Sequence, residues 1–162
     1  MKNNKGFTLI ELLAVIVVLA IVTVLATRSI LPYMANARID AFGIEATDVI
    51  KSAEDATVLY SLDQIKLKSP ASCKKDKVVC FTIAELIRLG TYEGDADTYK
   101  GKVLVDTSGD VPSYTLYLQK SAEFHIEGSK NTNFVDDKTD IKEGGFANEQ
   151  VPGYTTCSCE KT

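Results

Sequence analysis

The stretch KGFTLIELLAVIVVLAIVTVLA, residues 5–26, decides how this chain is built, because it is long and almost entirely apolar. The apolar run continues to Leu31, and about 25 residues from Phe7 onward would form a helix of about 37 Å. A helix of that length can cross a bilayer. The unexpected residue is Glu11, a carboxylate within the run, one turn after a basic Lys-Gly pair. Any account of this segment has to explain that acid.

Two ordinary interpretations leave Glu11 unexplained. A secretory signal gains nothing from an acid there, although Val24-Leu25-Ala26 would suit cleavage and leave a secreted domain starting near Thr27. In a simple membrane anchor, a carboxylate at the helix centre costs about 2.5–3.5 kcal/mol, and less near the interface. The nearest cation along the span, Arg28, lies roughly 25 Å away on one helix. We therefore expect Glu11 to need a partner outside its own helix.

Gly6, Phe7, Thr8 and Glu11, together with the apolar run that follows, resemble the N-terminus of type IV pilins and pseudopilins. The resemblance covers about the first 31 residues. It implies that a membrane-embedded prepilin peptidase cuts between Gly6 and Phe7 and methylates the new amino terminus. It also implies that Glu11 of one subunit pairs with the Phe7 ammonium of a neighbour, which makes Glu11 an assembly residue.

The function implied by this resemblance is that of a structural subunit, a pilin, in an extracellular type IV pilus. Its partners would be other copies or co-polymerised pilins, the prepilin peptidase and N-methyltransferase, the pilus assembly platform and the membrane. The subunit would span the inner, cytoplasmic membrane once and then reach the cell surface. One alternative is a pseudopilin of a type II secretion or competence DNA-uptake system. An alternative of another class is a membrane-anchored extracellular binding domain that does not polymerise.

The helical pattern continues beyond the membrane segment. An apolar stripe with alternating spacings of three and four residues indicates an amphipathic helix that extends to residue 60, about 80 Å from Phe7. We expect this stripe to pack on the protein's own globular part; an intermolecular coiled coil is the alternative. The stripe consists of Ile39, Phe42, Ala46, Val49, Ala53, Ala56 and Tyr60, and the solvated face between them of Asp40, Glu45, Asp48, Lys51, Glu54 and Asp55.

A kink is predicted where the two halves of the helix meet. Pro32 cannot donate to the carbonyl of Arg28, and its ring crowds that carbonyl, so we expect a kink or local melting over residues 28–32. Many members of the resembled family carry proline at the place of Arg28, and here the chain departs from that pattern. The long Arg28 side chain can extend to the outer headgroup layer.

The remainder of the chain predicts a small α+β head. Residues 61–80 have the composition of a loop, and a capping box at Thr82 predicts a short helix over 83–89 that stops at Gly90. Residues 102–106 and 114–119 predict a hairpin, and 124–127 a third strand, with His125 at its surface. The predicted fold is type IV pilin-like, with one long N-terminal helix packed on a small antiparallel sheet. Its divisions are a leader (1–6), a hydrophobic half-helix (7–31), an amphipathic half-helix (32–60) and a globular head (61–162).

Four cysteines, an even number, lie beyond the apolar segment and indicate two disulfides in an exported domain: Cys73, Cys80, Cys157 and Cys159. A bridge between Cys157 and Cys159 would close a strained ring. We expect the two C-terminal cysteines to bridge to the two earlier ones, which would hold the C-terminal loop. The exact partners stay open, and a local Cys73–Cys80 bridge is the alternative. Zinc is less suited, because the spacing is not that of common zinc sites.

No cofactor, metal or catalytic chemistry is predicted. His125 is the only histidine, and no nucleophile–base arrangement can be argued around it. The acid clusters at 93–97 and 136–140 do not match a twelve-residue calcium loop. The formal charge of −4 gives no reason to expect nucleic acid, since the one basic stretch, residues 74–77, is short.

Overall fold

The computed structural model describes residues 8–68, 72–75, 77–146 and 156–157. In these ranges the chain forms two helices and six strands. The helices are α1 (Leu9–Ser61) and α2 (Ile83–Leu89), and the strands are β1 (Ser72–Lys75), β2 (Val78–Thr82), β3 (Tyr99–Asp106), β4 (Ser113–Lys120), β5 (Phe124–Ser129) and β6 (Lys142–Glu143).

The six strands form one antiparallel sheet whose spatial order is the order of the chain, from β1 to β6. The centre of the sheet is the β3–β4 hairpin, in which Tyr99 lies opposite Lys120 and Asp106 opposite Ser113. A β-bulge at Leu116/Tyr117 shifts the register between β4 and β5. Each strand therefore pairs with its neighbours in sequence, which favours short connections.

The chain divides into two compact units, residues 1–38 and residues 39–162, and helix α1 contributes residues to both. Up to Arg38 its described side chains are exposed, whereas from Ile39 onward one face is buried. Every residue of the predicted apolar stripe is buried or partly buried in the hydrophobic core of the second unit. The prediction that this half of the helix packs on the protein's own sheet is thus confirmed.

The core lies between this helix face and the inner face of the sheet. The ring of Phe42 stacks on that of Phe124, with 5.7 Å between centroids. Strand β3 shows the expected alternation, since Val103 and Val105 are fully buried and their neighbours point outward. Phe134, from the segment after β5, is also fully buried and joins the same cluster.

Helix α2 spans the predicted residues, and both of its ends have the expected caps. The Thr82 side chain accepts a hydrogen bond from the Glu85 backbone N–H, and Gly90 ends the helix in the left-handed conformation at φ 75°. The Glu85 side chain does not close the other half of the capping box. It lies buried and binds Arg88 instead, with 2.5 Å between Glu85 Oε1 and Arg88 Nη2.

Two details of the head differ from the sequence predictions. The loop predicted over 61–80 is wrong for residues 72–75 and 78–80, which form strand β1 and the start of strand β2. Strand β2 pairs with β3, about 25 residues later, and the local sequence pattern carries no sign of that pairing. The surface position predicted for His125 is also wrong. His125 is 7% exposed, because its Nδ1 lies 2.8 Å from the Gly144 carbonyl and Phe146 covers its ring.

The predicted fold class is confirmed: one long N-terminal helix packs on a small antiparallel sheet, and a disulfide holds the C-terminal segment. The division of the chain at residues 6, 31 and 60 stays a prediction. Residues 1–7, which include the predicted leader, lie outside the described part of the chain.

Candidate assembly site

The candidate assembly residue Glu11 lies in the first turn of α1 and caps it. The Thr8 backbone N–H and the Thr8 hydroxyl both donate to Glu11 Oε2, each at 2.8 Å. In return, the Glu11 backbone N–H donates to Thr8 Oγ1 at 3.4 Å. This reciprocal arrangement is a capping box, which supplies partners to backbone donors that the first turn of a helix leaves free.

The capping box corrects one expectation about Glu11. The expectation is that Glu11 needs a partner outside its own helix, yet Thr8 of the same chain already donates two hydrogen bonds to its carboxylate. The Thr-x-x-Glu spacing that identified the start of α2 is also present here. A carboxylate has about four acceptor positions, so Glu11 retains capacity for a further donor. Gly6 and Phe7, the predicted cleavage and methylation residues, lie outside the described part of the chain.

The helix that follows Glu11 is long and apolar enough to cross a membrane by length and composition. From Leu9 to Leu25 its large apolar side chains are all at least half exposed. The threonines within it satisfy their hydroxyl groups internally: Thr23 donates to the Leu19 carbonyl at 2.7 Å, and Thr27 donates to the Thr23 carbonyl at 2.8 Å. Internal satisfaction of this kind is what hydrocarbon surroundings require.

Helical backbone runs without interruption through Arg28 and Pro32. The alternative of local melting over residues 28–32 is therefore wrong, and the bend expected at Pro32 stays a prediction. A helix tolerates one missing backbone donor when its other hydrogen bonds remain, and this is why proline occurs within membrane helices. The Arg28 side chain is exposed.

One disulfide of the head is described, between Cys80 and Cys157, with 5.9 Å between their Cα atoms. It joins strand β2 to the C-terminal segment, as the fold prediction required, and it excludes the alternative in which Cys80 bonds Cys73. Lys102 adds a second tie by donating from Nζ to the Thr156 carbonyl at 3.3 Å. Cys159 and the Cys73 side chain lie outside the described part, so a second bridge between them stays a prediction.

The two acid clusters considered for calcium lie in turns. Asp95 accepts hydrogen bonds from the Asp97 backbone and the Thr98 hydroxyl, and Asp137 accepts two from Thr139. Hydrogen bonds of this kind are those of ordinary Asx turns. Among the described residues, no group of three or more His, Cys, Asp or Glu side chains is arranged to hold a metal ion.

Comparison with known proteins bears on the N-terminal site. Residues 1–27 match the family model of the prokaryotic N-terminal methylation motif. No curated protein and no solved structure matches the chain. The matched motif is the class III signal of type IV pilins and pseudopilins. Together with the long apolar helix and the disulfide-held α+β head, it supports a type IV pilin or pseudopilin.

Proposed function

We propose that this protein is a structural subunit of an extracellular type IV pilus. In this proposal the chain is inserted in the membrane through α1, cut between Gly6 and Phe7, methylated at Phe7 and polymerised. The observation that carries the proposal is the match of residues 1–27 to the methylation motif. The exposed apolar surface of α1 supports it, because such a surface requires either lipid or other helices around it.

Glu11 supplies the reason for assembly. Cleavage would create an ammonium group at Phe7, close to where α1 enters the apolar layer, and methylation to a secondary amine would keep its charge. Removal of one partner from a buried ion pair of this type costs about 3–5 kcal/mol. Before assembly, the two hydrogen bonds from Thr8 offset part of the cost of the lone carboxylate. A neighbouring subunit would then provide the full countercharge.

A pseudopilin of a secretion or DNA-uptake system is the second candidate, because the same motif supports it equally. The two candidates differ in what they assemble into. At its native expression level a pilus subunit forms long extracellular filaments, whereas a pseudopilin does not. The third candidate is a membrane-anchored binding domain that does not polymerise. If the protein is of this kind, its N-terminus stays uncut and substitution of Glu11 has no effect on assembly.

The test is the mass of the N-terminal peptide of protein from its native cells. The proposal expects a chain that begins at Phe7 and carries one added methyl group, and filaments that can be sheared from the cell surface. Glu11→Ala should reduce those filaments at least about tenfold, because the loss of a buried pair exceeds the 1.4 kcal/mol that tenfold represents.

Lys100→Ala is the control, since it removes an exposed charge from strand β3 of the head and leaves α1 and its Thr8–Glu11 hydrogen bonds unchanged. A chain that begins at Met1 would indicate a simple anchor, and one that begins near Thr27 a secreted domain. Either result contradicts the proposal. A chain that is correctly cut and methylated but forms no extracellular filaments would favour the pseudopilin over the pilus subunit.

A further inference from the structure

Strands β2 and β3 place Cys80 and Lys102 on the same face of the sheet. The side chains of Val103 and Val105 are fully buried in the core. Lys102 and Leu104 alternate with them along β3 and therefore point to the opposite, outer face. Cys80 pairs directly with Leu104 across the two strands and shares that outer face. The disulfide of the head thus lies on the side of the sheet that carries Lys102.

The segment that leads to Cys157 is held against the sheet at two places by side chains of the strands. At the first, the Phe146 backbone N–H donates to Gln119 Oε1 at 2.8 Å. At the second, Lys102 Nζ donates to the Thr156 carbonyl at 3.3 Å. Both contacts join a strand side chain to the backbone of the segment, so neither of them requires the disulfide.

The contact at Phe146 shortens the loop that must close when Cys157 meets Cys80. The two cysteines are separated by 77 residues in the sequence. Only about ten residue steps lead from Phe146 to Thr156. The probability that the ends of a flexible loop meet falls with about the three-halves power of its length, so anchoring at Phe146 raises the frequency of the encounter about twentyfold.

Lys102 is placed to complete this approach. Its Nζ lies 5.3 Å from the centroid of the ring of Tyr117, its cross-strand neighbour. Burial at this place lowers the pKa of Lys102 below its ordinary value. The contacts of the amine with the ring and with the Thr156 carbonyl offset that cost. Because Thr156 immediately precedes Cys157, a fixed Thr156 carbonyl also restricts where the Cys157 thiol can lie.

We propose that Lys102 is a positioning residue for the closure of the Cys80–Cys157 bond. In the reduced chain it holds the Thr156 carbonyl, and Cys157 then lies against Cys80 before the bond exists. The inference concerns the head of a single subunit. It does not depend on the proposed filament.

The bond forms by thiol–disulfide exchange with a disulfide oxidant, in two steps. In the first step, the thiolate of one cysteine attacks the oxidant, and half of the oxidant leaves as a thiol. In the second step, the other cysteine attacks the mixed disulfide, and the remaining half leaves as a second thiol. Two protein thiols are thereby oxidised to one disulfide, and the oxidant is reduced to two thiols. Lys102 acts on the second step, because only that step requires the two cysteines to be close together.

The oxidation kinetics of the full chain in detergent test this role. The chain carries Cys73→Ser and Cys159→Ser, so that only Cys80 and Cys157 react. It is reduced and mixed with oxidised glutathione, and mass spectrometry of acid-quenched samples separates the free thiols, the mixed disulfide and the closed bond. The variants are Lys102→Met and Lys102→Arg. The matched control is Lys100→Met, which removes an exposed lysine from the same strand.

We expect Lys102→Met to slow the closure step at least about fivefold, because it removes a hydrogen bond from a charged donor. Formation of the mixed disulfide should stay within about twofold of the unchanged rate. Lys102→Arg should keep closure within about twofold, since the guanidinium can donate to the same carbonyl, and so should Lys100→Met.

Three results overturn the inference. The first is a Lys102→Met chain that closes at the unchanged rate. The second is an equal slowing of both steps, which would mean that the charge of Lys102 only activates the thiols. The third is a Lys102→Arg chain that closes as slowly as Lys102→Met.

A measurement on the unchanged chain keeps the test decisive if Lys102→Met fails to fold. Cys157 is 3% exposed in the oxidised head. If the segment is docked before closure, iodoacetamide should alkylate Cys157 of the reduced chain at least about tenfold more slowly than in the same chain unfolded in urea, because a buried thiol is inert. Peptide mass spectrometry measures both rates. Equal rates would show that the segment docks only after the bond forms, and they overturn the inference.

Discussion

Gly43 allows the segment after β5 to approach α1 closely. A Cβ at this position would lie 2.5 Å from the Phe134 carbonyl oxygen, a distance that real contacts do not show. Next to it, the Phe134 backbone N–H donates to the Thr47 hydroxyl at 3.0 Å, and Phe134 itself is fully buried. These two residues of α1 therefore dock the segment that carries Phe134. From sequence, Gly43 reads only as a weak helix former, since the close approach depends on a residue about 90 positions later.

We predict that Gly43→Ala lowers the free energy of unfolding of the head by about 1–3 kcal/mol, because the clash with a backbone carbonyl outweighs the gain in helix propensity. Denaturant unfolding of the full chain in detergent measures this change in the free energy of unfolding.

Thr47→Val should also lower the free energy of unfolding, by about 1–3 kcal/mol, because it leaves the Phe134 N–H unpaired. A Gly43→Ala chain as stable as wild type would contradict this account of the docking.

The elements of the head differ in how much of them the sequence reveals. Helix α2 could be predicted to the residue because its signals, Thr82 and Gly90, are local and depend on no other element. Strands β1 and β2 could not, since the stretch that includes Cys73 and Cys80 lacks alternation. It forms strands because β1 pairs with β2 and β2 pairs with the distant β3. At the N-terminus, the Thr-x-x-Glu spacing of Thr8 and Glu11 is an equally local signal for the start of α1.

Helix α2 also anchors the connection that leads from α1 to the sheet. The buried Glu85 carboxylate accepts from Arg88 Nε at 2.8 Å and from the Lys68 backbone N–H at 3.4 Å, while Arg88 Nη2 reaches the Lys66 carbonyl at 3.4 Å. The hydrogen bond from Arg88 lowers the pKa of Glu85 below its ordinary value of 4.5, although burial acts to raise it. The ionised form of Glu85 is therefore the form that the folded chain stabilises.

A carboxyl whose folded pKa is lowered contributes stability that is present above its unfolded pKa and is lost as pH falls through the folded value. We predict that Glu85→Gln lowers the free energy of unfolding by about 1–3 kcal/mol at neutral pH. The difference from wild type should shrink as pH falls below about 4.5. Denaturant midpoints from pH 7 to pH 3 measure it, with Glu93→Gln, exposed in the following loop, as the control. A difference that stays constant over this range contradicts the role of the ionised carboxylate.

At the scale of the whole molecule, the Cys80–Cys157 bond spans 77 residues of the sequence and encloses most of the sheet. In the chain-entropy account, a loop of that length stabilises the folded state by about 4–5 kcal/mol. Next to the disulfide, Lys102 also donates a hydrogen bond to the Thr156 carbonyl. The disulfide should therefore affect the stability of the head as a unit.

We predict that replacement of Cys80 and Cys157 together by alanine lowers the free energy of unfolding by up to about 4 kcal/mol, with the larger part of the loss coming from the freer unfolded chain. Denaturant unfolding of the oxidised proteins measures it. Reduced wild type serves as the control, since it should be no more stable than the double variant. If the double variant loses less than about 1 kcal/mol, the bond only tethers the C-terminal segment, and the six strands with the second half of α1 sustain the head by themselves.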